Sequence, residues 1–267
     1  MTISSDQELH TLREGGKRLA AIMAELIAAV RPGISTLALD ELAEQLIIEA
    51  GGHSAFKGYR TKRDDPPFSA SICTSINDEV VHAIPRPDRI LKQGDIVGLD
   101  IGMRWPASQQ PAGSRKLEAG LITDMAVTVP VGRISPPAEE LIQVTHEALV
   151  SGIRVLRPGV RMGDLGHTIQ RHIEENGFSV VRELVGHGVG QHLHENPYVP
   201  NYGTPGDGLL LKRGMVLAIE PMATAGSPLV RLDSDGWTWR TRDGSLAAHF
   251  EHTVIVTKTG AEILTKF

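Results

Sequence analysis

The sequence predicts an α+β fold in which two similar halves, each a pair of helices followed by strands, share a central sheet. Segments with apolar residues at three- and four-residue spacing alternate with short apolar runs, the patterns of helices and strands. An Arg-Pro-Gly stop follows the first helix of each half, at Arg31 and at Arg157. The same 126 positions separate Arg31 from Arg157 and Gly51 from Gly177, which favours an old duplication over chance recurrence of a common stop signal.

Four helices are predicted from apolar spacing, capping residues and stop signals. Each ends at or just before a glycine or an Arg-Pro-Gly stop, and the polar residue before the second suits an N-cap. They extend from about Gln7 to Val30, from Ser35 or Thr36 to Gly51, from Ser135 to Arg157, and from about Asp164 to Glu175.

Strands are predicted where short apolar runs follow each helix pair. A segment rich in Pro, Ser, Gln, Gly and Ala, at about 105–119, lies between two of these strands, and its composition predicts an exposed loop insertion. The whole chain, 1–267, is predicted to be one domain with halves at about 7–131 and 137–257. The strands are Phe68 to Thr74, Ile96 to Met103, Leu121 to Val131, Glu183 to Val189, Met215 to Ala223 and Phe250 to Thr257.

Composition argues against a nucleic-acid-binding protein and against a membrane-spanning one. A net charge of −5 gives no basic surface for nucleic acid, and no apolar run reaches the roughly 18 residues of a membrane span. Cys73 is the single cysteine, so no intrachain disulfide can form. Residues 1–10 are polar and lack the apolar core of a secretory signal. We therefore expect a soluble cytoplasmic protein, with a monomer as the default.

Five ionisable residues lie inside apolar strand patterns: Asp100, Asp124, His187, Glu220 and Glu251. Any one of them alone could sit at a wet strand end. Four buried carboxylates gathered in one place need cations to hold them. Together the five offer more ligand atoms than one small cation accepts, which predicts two divalent ions about 3–4 Å apart. Carboxylates and imidazole suit Mn, Fe, Co or Zn, and the pattern does not choose among them.

The five residues and their surroundings resemble the methionine aminopeptidases of the first type. The matching motifs are SINDEVVHAIP at 75–85, GHGVG at 186–190, HENP at 194–197, IEPM at 219–222 and EHTV at 251–254. The resemblance extends from the first helix to Thr257. It implies the pita-bread fold around a curved antiparallel sheet, and removal of methionine from the N-termini of nascent polypeptides when the next residue is small.

The resemblance also implies roles for single residues. The five ionisable residues would be the metal ligands, and Glu220 would also be the general base. His194 would contact the substrate carbonyl, and His82 would lie near the scissile nitrogen. Tyr59, Phe68, Cys73 and Trp237 would line the methionine pocket.

The chain departs from the family pattern in three places. Leu193 stands where relatives often carry Phe, the connection between Asp100 and Asp124 is longer than usual, and a smaller excess of residues occurs at 60–67.

The alternative functions are a proline-specific peptidase of the same fold (prolidase or aminopeptidase P), a non-catalytic binding protein of that fold and, more distantly, a cupin-like oxygenase. Ribosome association follows from the implied function, without a motif of its own.

Overall fold

The computed structural model describes residues 1–107 and 120–267. Most of the predicted loop insertion, at 108–119, therefore lies outside the described residues. None of the helices within the described ranges is both long and apolar enough to cross a membrane.

Four helices occur where the sequence predicts them. The first begins with a capping box, in which the Ser5 side chain accepts from the Glu8 amide while the Glu8 carboxylate accepts from the Ser5 amide. Its buried face, which includes Leu12, Leu19 and Met23, covers the central sheet. The helices are α1 (Asp6–Ala29), α2 (Thr36–Glu49), α3 (Pro136–Val155) and α4 (Met162–Glu175).

A curved antiparallel sheet occupies the centre, as predicted, and nine of the described strands belong to it. Its main path runs β1-β4-β5-β14-β9-β7-β8, with β2 paired to β4 and β15 paired to β14. These strands are β1 (His53–Ser54), β2 (Cys73–Ile76), β4 (Ile96–Trp105), β5 (Leu121–Pro130), β7 (Gly186–Gly188), β8 (Glu195–Val199), β9 (Val216–Ile219), β14 (Glu251–Val256) and β15 (Ala261–Ile263).

Two small three-stranded sheets, of orders β13-β10-β6 and β11-β12-β3, complete the described strands. Their strands are only two or three residues long, too short for an alternating pattern to reveal them. They are β3 (Glu79–Val81), β6 (Ser179–Val180), β10 (Met222–Thr224), β11 (Val230–Leu232), β12 (Trp239–Thr241) and β13 (Ala247–His249).

Three predicted strands were wrong in their extent, and the one predicted from Glu183 to Val189 covers only β7 (Gly186–Gly188). Phe68 lies in a loop, and the strand predicted from it begins only at Cys73. The strand predicted from Met215 to Ala223 is two strands, β9 and β10, in different sheets. The break falls at Glu220-Pro221, because a proline has no amide hydrogen to continue the ladder.

In each half the glycine of the Arg-Pro-Gly stop donates a backbone hydrogen bond to a leucine carbonyl later in the same half. Gly33 donates to the Leu91 carbonyl at 2.8 Å, and Gly159 donates to the Leu211 carbonyl at 3.1 Å. Both glycines adopt a left-handed conformation, with φ of 89° and 92°. This agreement in turn geometry favours the duplication, which stays a prediction.

Candidate active site

Three carboxylates lie on one face of three neighbouring strands. Asp100 on β4 is the register partner of Ala126 on β5, and Ala126 is the partner of Glu251 on β14. Asp124 lies two residues before Ala126, so its side chain points to the same face. The pairing of these strands thus brings carboxylates that are far apart in sequence together in one acidic patch.

The second half supplies the other two members from the same face. His187 on β7 pairs with Ala218 on β9, and Ala218 pairs with Thr253, two residues after Glu251. Glu220 follows β9 at the proline break. His187 Nε2 lies 3.4 Å from Glu220 Oε1 and 4.0 Å from Asp124 Oδ2. The structure therefore places all five predicted ligands around one buried centre.

The buried oxygens of this centre fit a cation. One potential ligand atom from each of Asp124, His187 and Glu251 lies within 4.8 Å of the others. One carboxyl oxygen of Asp100, one of Asp124 and one of Glu251 is buried with no hydrogen-bond partner among the described residues. Orphaned buried oxygens are costly, and a divalent cation bound among them removes that cost. The oxygen and imidazole donors suit Mn, Fe, Co or Zn.

The pKa shifts of these residues also favour a bound cation. Burial is the main cause that raises the pKa of Asp124 to about 7 and the pKa values of Asp100, Glu220 and Glu251 well above their ordinary range. Burial lowers the pKa of His187 to about 3, which keeps its imidazole neutral. Its Nδ1 lies 3.0 Å from the Gly188 carbonyl, a contact that leaves the Nε2 lone pair for a metal.

His249 belongs to the centre, although sequence reasoning missed it. It is 3% exposed at the end of β13, and its Nε2 lies 3.5 Å from Glu220 Oε2. Burial lowers its pKa to about 3, so the ring is neutral. No local sequence signal marks it, because His249 lies in a small sheet and Glu251, two residues later, lies in the central sheet.

The two further histidines predicted for the site lie at the same cleft. His82 follows β3 and adopts a φ of 61°, in the left-handed region that a non-glycine residue rarely enters. Burial lowers its pKa to about 4. The His194 ring packs edge-to-face on His187, with centroids 4.4 Å apart, and its Nδ1 lies 2.6 Å from the Tyr59 hydroxyl.

A cavity of about 750 Å³ opens beside the five ligands. Tyr59, Phe68, Cys73 and Trp237, the predicted pocket residues, all line it. The Phe68 and Trp237 rings meet edge-to-face with centroids 5.3 Å apart. Two residues outside that prediction, Phe56 and Leu193, add apolar surface. The extra segment at 60–67 contributes part of the wall through Thr61, Lys62, Asp65 and Pro66.

Comparison with known proteins identifies the class. The profile of metallopeptidase family M24 matches residues 10–258, and the chain belongs to that family. Within the family, its similarity is to methionine aminopeptidases. It is 47% identical over 260 residues to methionine aminopeptidase 1 of Bacillus subtilis, covering 97% of each chain. It is 43% identical over 263 residues to the methionine aminopeptidase of Clostridium acetobutylicum, covering 98% of each.

Solved structures agree on the fold. The crystal structure of methionine aminopeptidase from Thermotoga maritima superposes with a TM-score of 0.90 at 41% identity, over the full length of both chains. Prolidase from Pyrococcus furiosus superposes with a TM-score of 0.73 at 21% identity, and this chain covers 66% of it, so that likeness concerns the fold alone. The predicted pita-bread fold and family resemblance are confirmed.

Proposed function

We propose that this metalloaminopeptidase removes the N-terminal methionine from polypeptides whose second residue is small. The observation that carries the proposal is a buried centre of four carboxylates and one histidine beside a cavity lined by aromatic rings and the Cys73 thiol. A flexible thioether packs well against aromatic rings, and sulfur–aromatic contacts are favourable. The 36–47% identity to methionine aminopeptidases supports the same substrate.

Asp100, Asp124, His187, Glu220 and Glu251 would hold two ions of Mn, Fe, Co or Zn, which when bound supply Lewis acidity and lower the pKa of a water molecule. Glu220 would then accept a proton from the attacking water at a carboxylate oxygen, and deliver it to the departing amine. Glu220 lies between two neutral imidazoles, His187 and His249, and among the described residues no cationic side chain forms an ion pair with its carboxylate.

Neutral histidines would orient the peptide. The Tyr59 hydroxyl can donate to His194 Nδ1, which places the ring proton on Nε2, and that N–H would donate to the substrate carbonyl and to the oxyanion that forms from it. His82, kept neutral by burial, would interact with the scissile nitrogen. Tyr59, Phe68, Cys73 and Trp237 would enclose the methionine side chain.

The cellular setting is part of the same proposal. We place the enzyme in the cytoplasm as a monomer that acts on the N-termini of nascent chains, where ribosome association would bring it close to its substrates. This setting follows from the proposed reaction, since new N-termini arise at the ribosome.

The test is release of methionine from Met-Ala-Ser by metal-stripped protein, before and after addition of Mn or Co. We expect cleavage only after metal addition, because the carboxylates alone cannot activate water. Met-Lys-Ser should be cut far more slowly, and Ala-Pro-Ala not at all. Preferential cleavage of Ala-Pro-Ala would move the chain to the proline-specific peptidases, and no cleavage of any peptide with any metal would favour a binding protein.

Replacing Tyr59 with phenylalanine should lower kcat for Met-Ala-Ser by about fivefold while KM changes little. The variant loses the hydrogen bond to His194, worth roughly 1 kcal/mol, but keeps the ring that lines the pocket. Steady-state kinetics separates the two constants. Tyr202→Phe, the same change at a ring that packs on Arg182 outside this cavity, is the matched control. A rise in KM without a fall in kcat would show that the hydroxyl serves binding instead.

A further inference from the structure

The cleft carries a second apolar surface beyond the methionine pocket. Tyr198 is 73% exposed and Leu232 is 47% exposed, yet both line the cavity that holds the metal ligands. We call this pair the cleft shelf. Most large apolar side chains of the described residues are buried, and apolar surface left open inside a concave site usually meets a ligand.

The sheet register places Tyr198 beside His187, one of the proposed metal ligands. Tyr198 on β8 is the register partner of His187 on β7. Register partners in antiparallel strands point to the same face with Cβ atoms about 5 Å apart. The phenol ring therefore extends from the face that carries the ligands, on the side of His187 away from β9.

Leu232 belongs to the small sheet that ends at His82. It pairs with Trp239, and Trp239 pairs with Val81, the residue before His82. Trp239 also lines the cavity. One shelf residue thus pairs with His187, a proposed metal ligand, and the other lies two strands away from β3, the strand that ends just before His82.

We propose that the cleft shelf binds the side chain of the third residue of the substrate, and that the enzyme favours an apolar residue there. The inference rests on the proposed function and deepens it. In an extended peptide the first and third side chains point to the same side, about 7 Å apart. With methionine in its pocket and the second residue beside His82 and His194, the third residue is the next to meet a wall, and that wall is Tyr198 and Leu232.

The experiment compares Met-Ala-Leu-Ser with Met-Ala-Ser-Ser and measures kcat/KM for each with metal-loaded enzyme. The wild type should cut the leucine peptide roughly fivefold to tenfold faster, the effect expected when a leucine side chain is partly removed from water. In Leu232→Ser and in Tyr198→Ser/Leu232→Ser this ratio should fall toward one. The ratio is insensitive to any general loss of activity, so a variant that folds or loads metal less well still reports on the shelf.

Leu229→Ser is the matched control, because Leu229 is 49% exposed on the segment leading into the same small sheet but does not line the cavity. It should keep the wild-type ratio. Equal rates for the two peptides in wild-type enzyme would overturn the shelf while leaving the proposed function intact. A preference that survives in the double variant, or one that appears only with leucine at the fourth position, would also overturn it. Failure to cut Met-Ala-Ser-Ser at all would instead contradict the proposed function.

Discussion

Replacing Glu220 with glutamine is expected to lower kcat by about 10²- to 10⁴-fold, the usual contribution of a general base. Glutamine preserves the shape and one oxygen of the side chain, so the cavity should stay packed. It cannot accept a proton at neutral pH. The proton of the attacking water then loses the acceptor that the proposed mechanism assigns to it.

The control for this substitution is Glu183→Gln. Glu183 lines the same cavity but lies outside the group of five ligands, so its variant should keep activity within about twofold of wild type. Metal content, measured by atomic spectroscopy, must accompany the kinetics. A Glu220→Gln enzyme with full metal and activity within tenfold of wild type would contradict the role as base. A parallel loss of metal and activity would support the role of Glu220 as a metal ligand.

The metal-stripped protein should lose stability steeply as pH rises above about 6.5, whereas the metal-loaded protein should not. Burial raises the pKa of Asp124 from 3.8 to about 7, and it raises the pKa values of Asp100, Glu220 and Glu251 well above their ordinary range. In the folded state without metal these carboxyls hold protons that the unfolded chain has already released. The stability they contribute is complete below the unfolded pKa and is lost as pH rises through the folded one.

The histidines determine the pH above which this loss of stability is visible. Burial lowers the pKa values of His187 and His249 to about 3 and those of His82 and His252 to about 4, from 6.5. Their contribution has the opposite sign: it is present above pH 6.5 and lost as pH falls through the folded pKa. Above pH 6.5 only the carboxyls act. Each carboxyl still protonated in the folded state lowers the free energy of unfolding by about 1.4 kcal/mol per pH unit.

Urea unfolding of stripped and loaded protein, at several pH values from about 6.5 to 8.5, measures this effect. A fall of at least ~2 kcal/mol is expected for the stripped protein alone. Asp124→Asn provides the sharper comparison. Its amide is neutral at every pH, so the stripped variant should be more stable than stripped wild type above pH 7 and should gain less from metal. A flat profile for stripped wild type would contradict a centre whose charge requires cations.

The chemistry of the site was predictable because it depends on residue type. A carboxylate or histidine within an apolar strand is unusual at one position and hard to explain at five, and the motifs around them carry the family resemblance. The helices were predictable for a similar reason, since their apolar periodicity, the Ser5 and Ser35 caps and the glycine stops are local signals.

What sequence reasoning could not supply depends on contacts between distant segments. The Tyr59 hydroxyl meets His194 across 135 positions of sequence, and no local pattern encodes that approach. His249 was missed because its importance lies in its nearness to Glu220, which is 3.5 Å away and 29 positions earlier in the sequence. The short strands of the small sheets, including the one that ends beside His82, form only because their partners lie next to them.

The proline break between β9 and β10 has a mechanical consequence. At Glu220-Pro221 the chain leaves the central sheet for a small sheet, and at Phe250 it returns from that small sheet to β14. The Phe250 amide donates to the Pro221 carbonyl at 3.3 Å, which fastens the two crossings together beside the proposed base. This hydrogen bond ties the small sheet to the central sheet next to Glu220. We therefore expect little movement between these two sheets when a substrate enters, so that selectivity depends on the side chains that line the cleft.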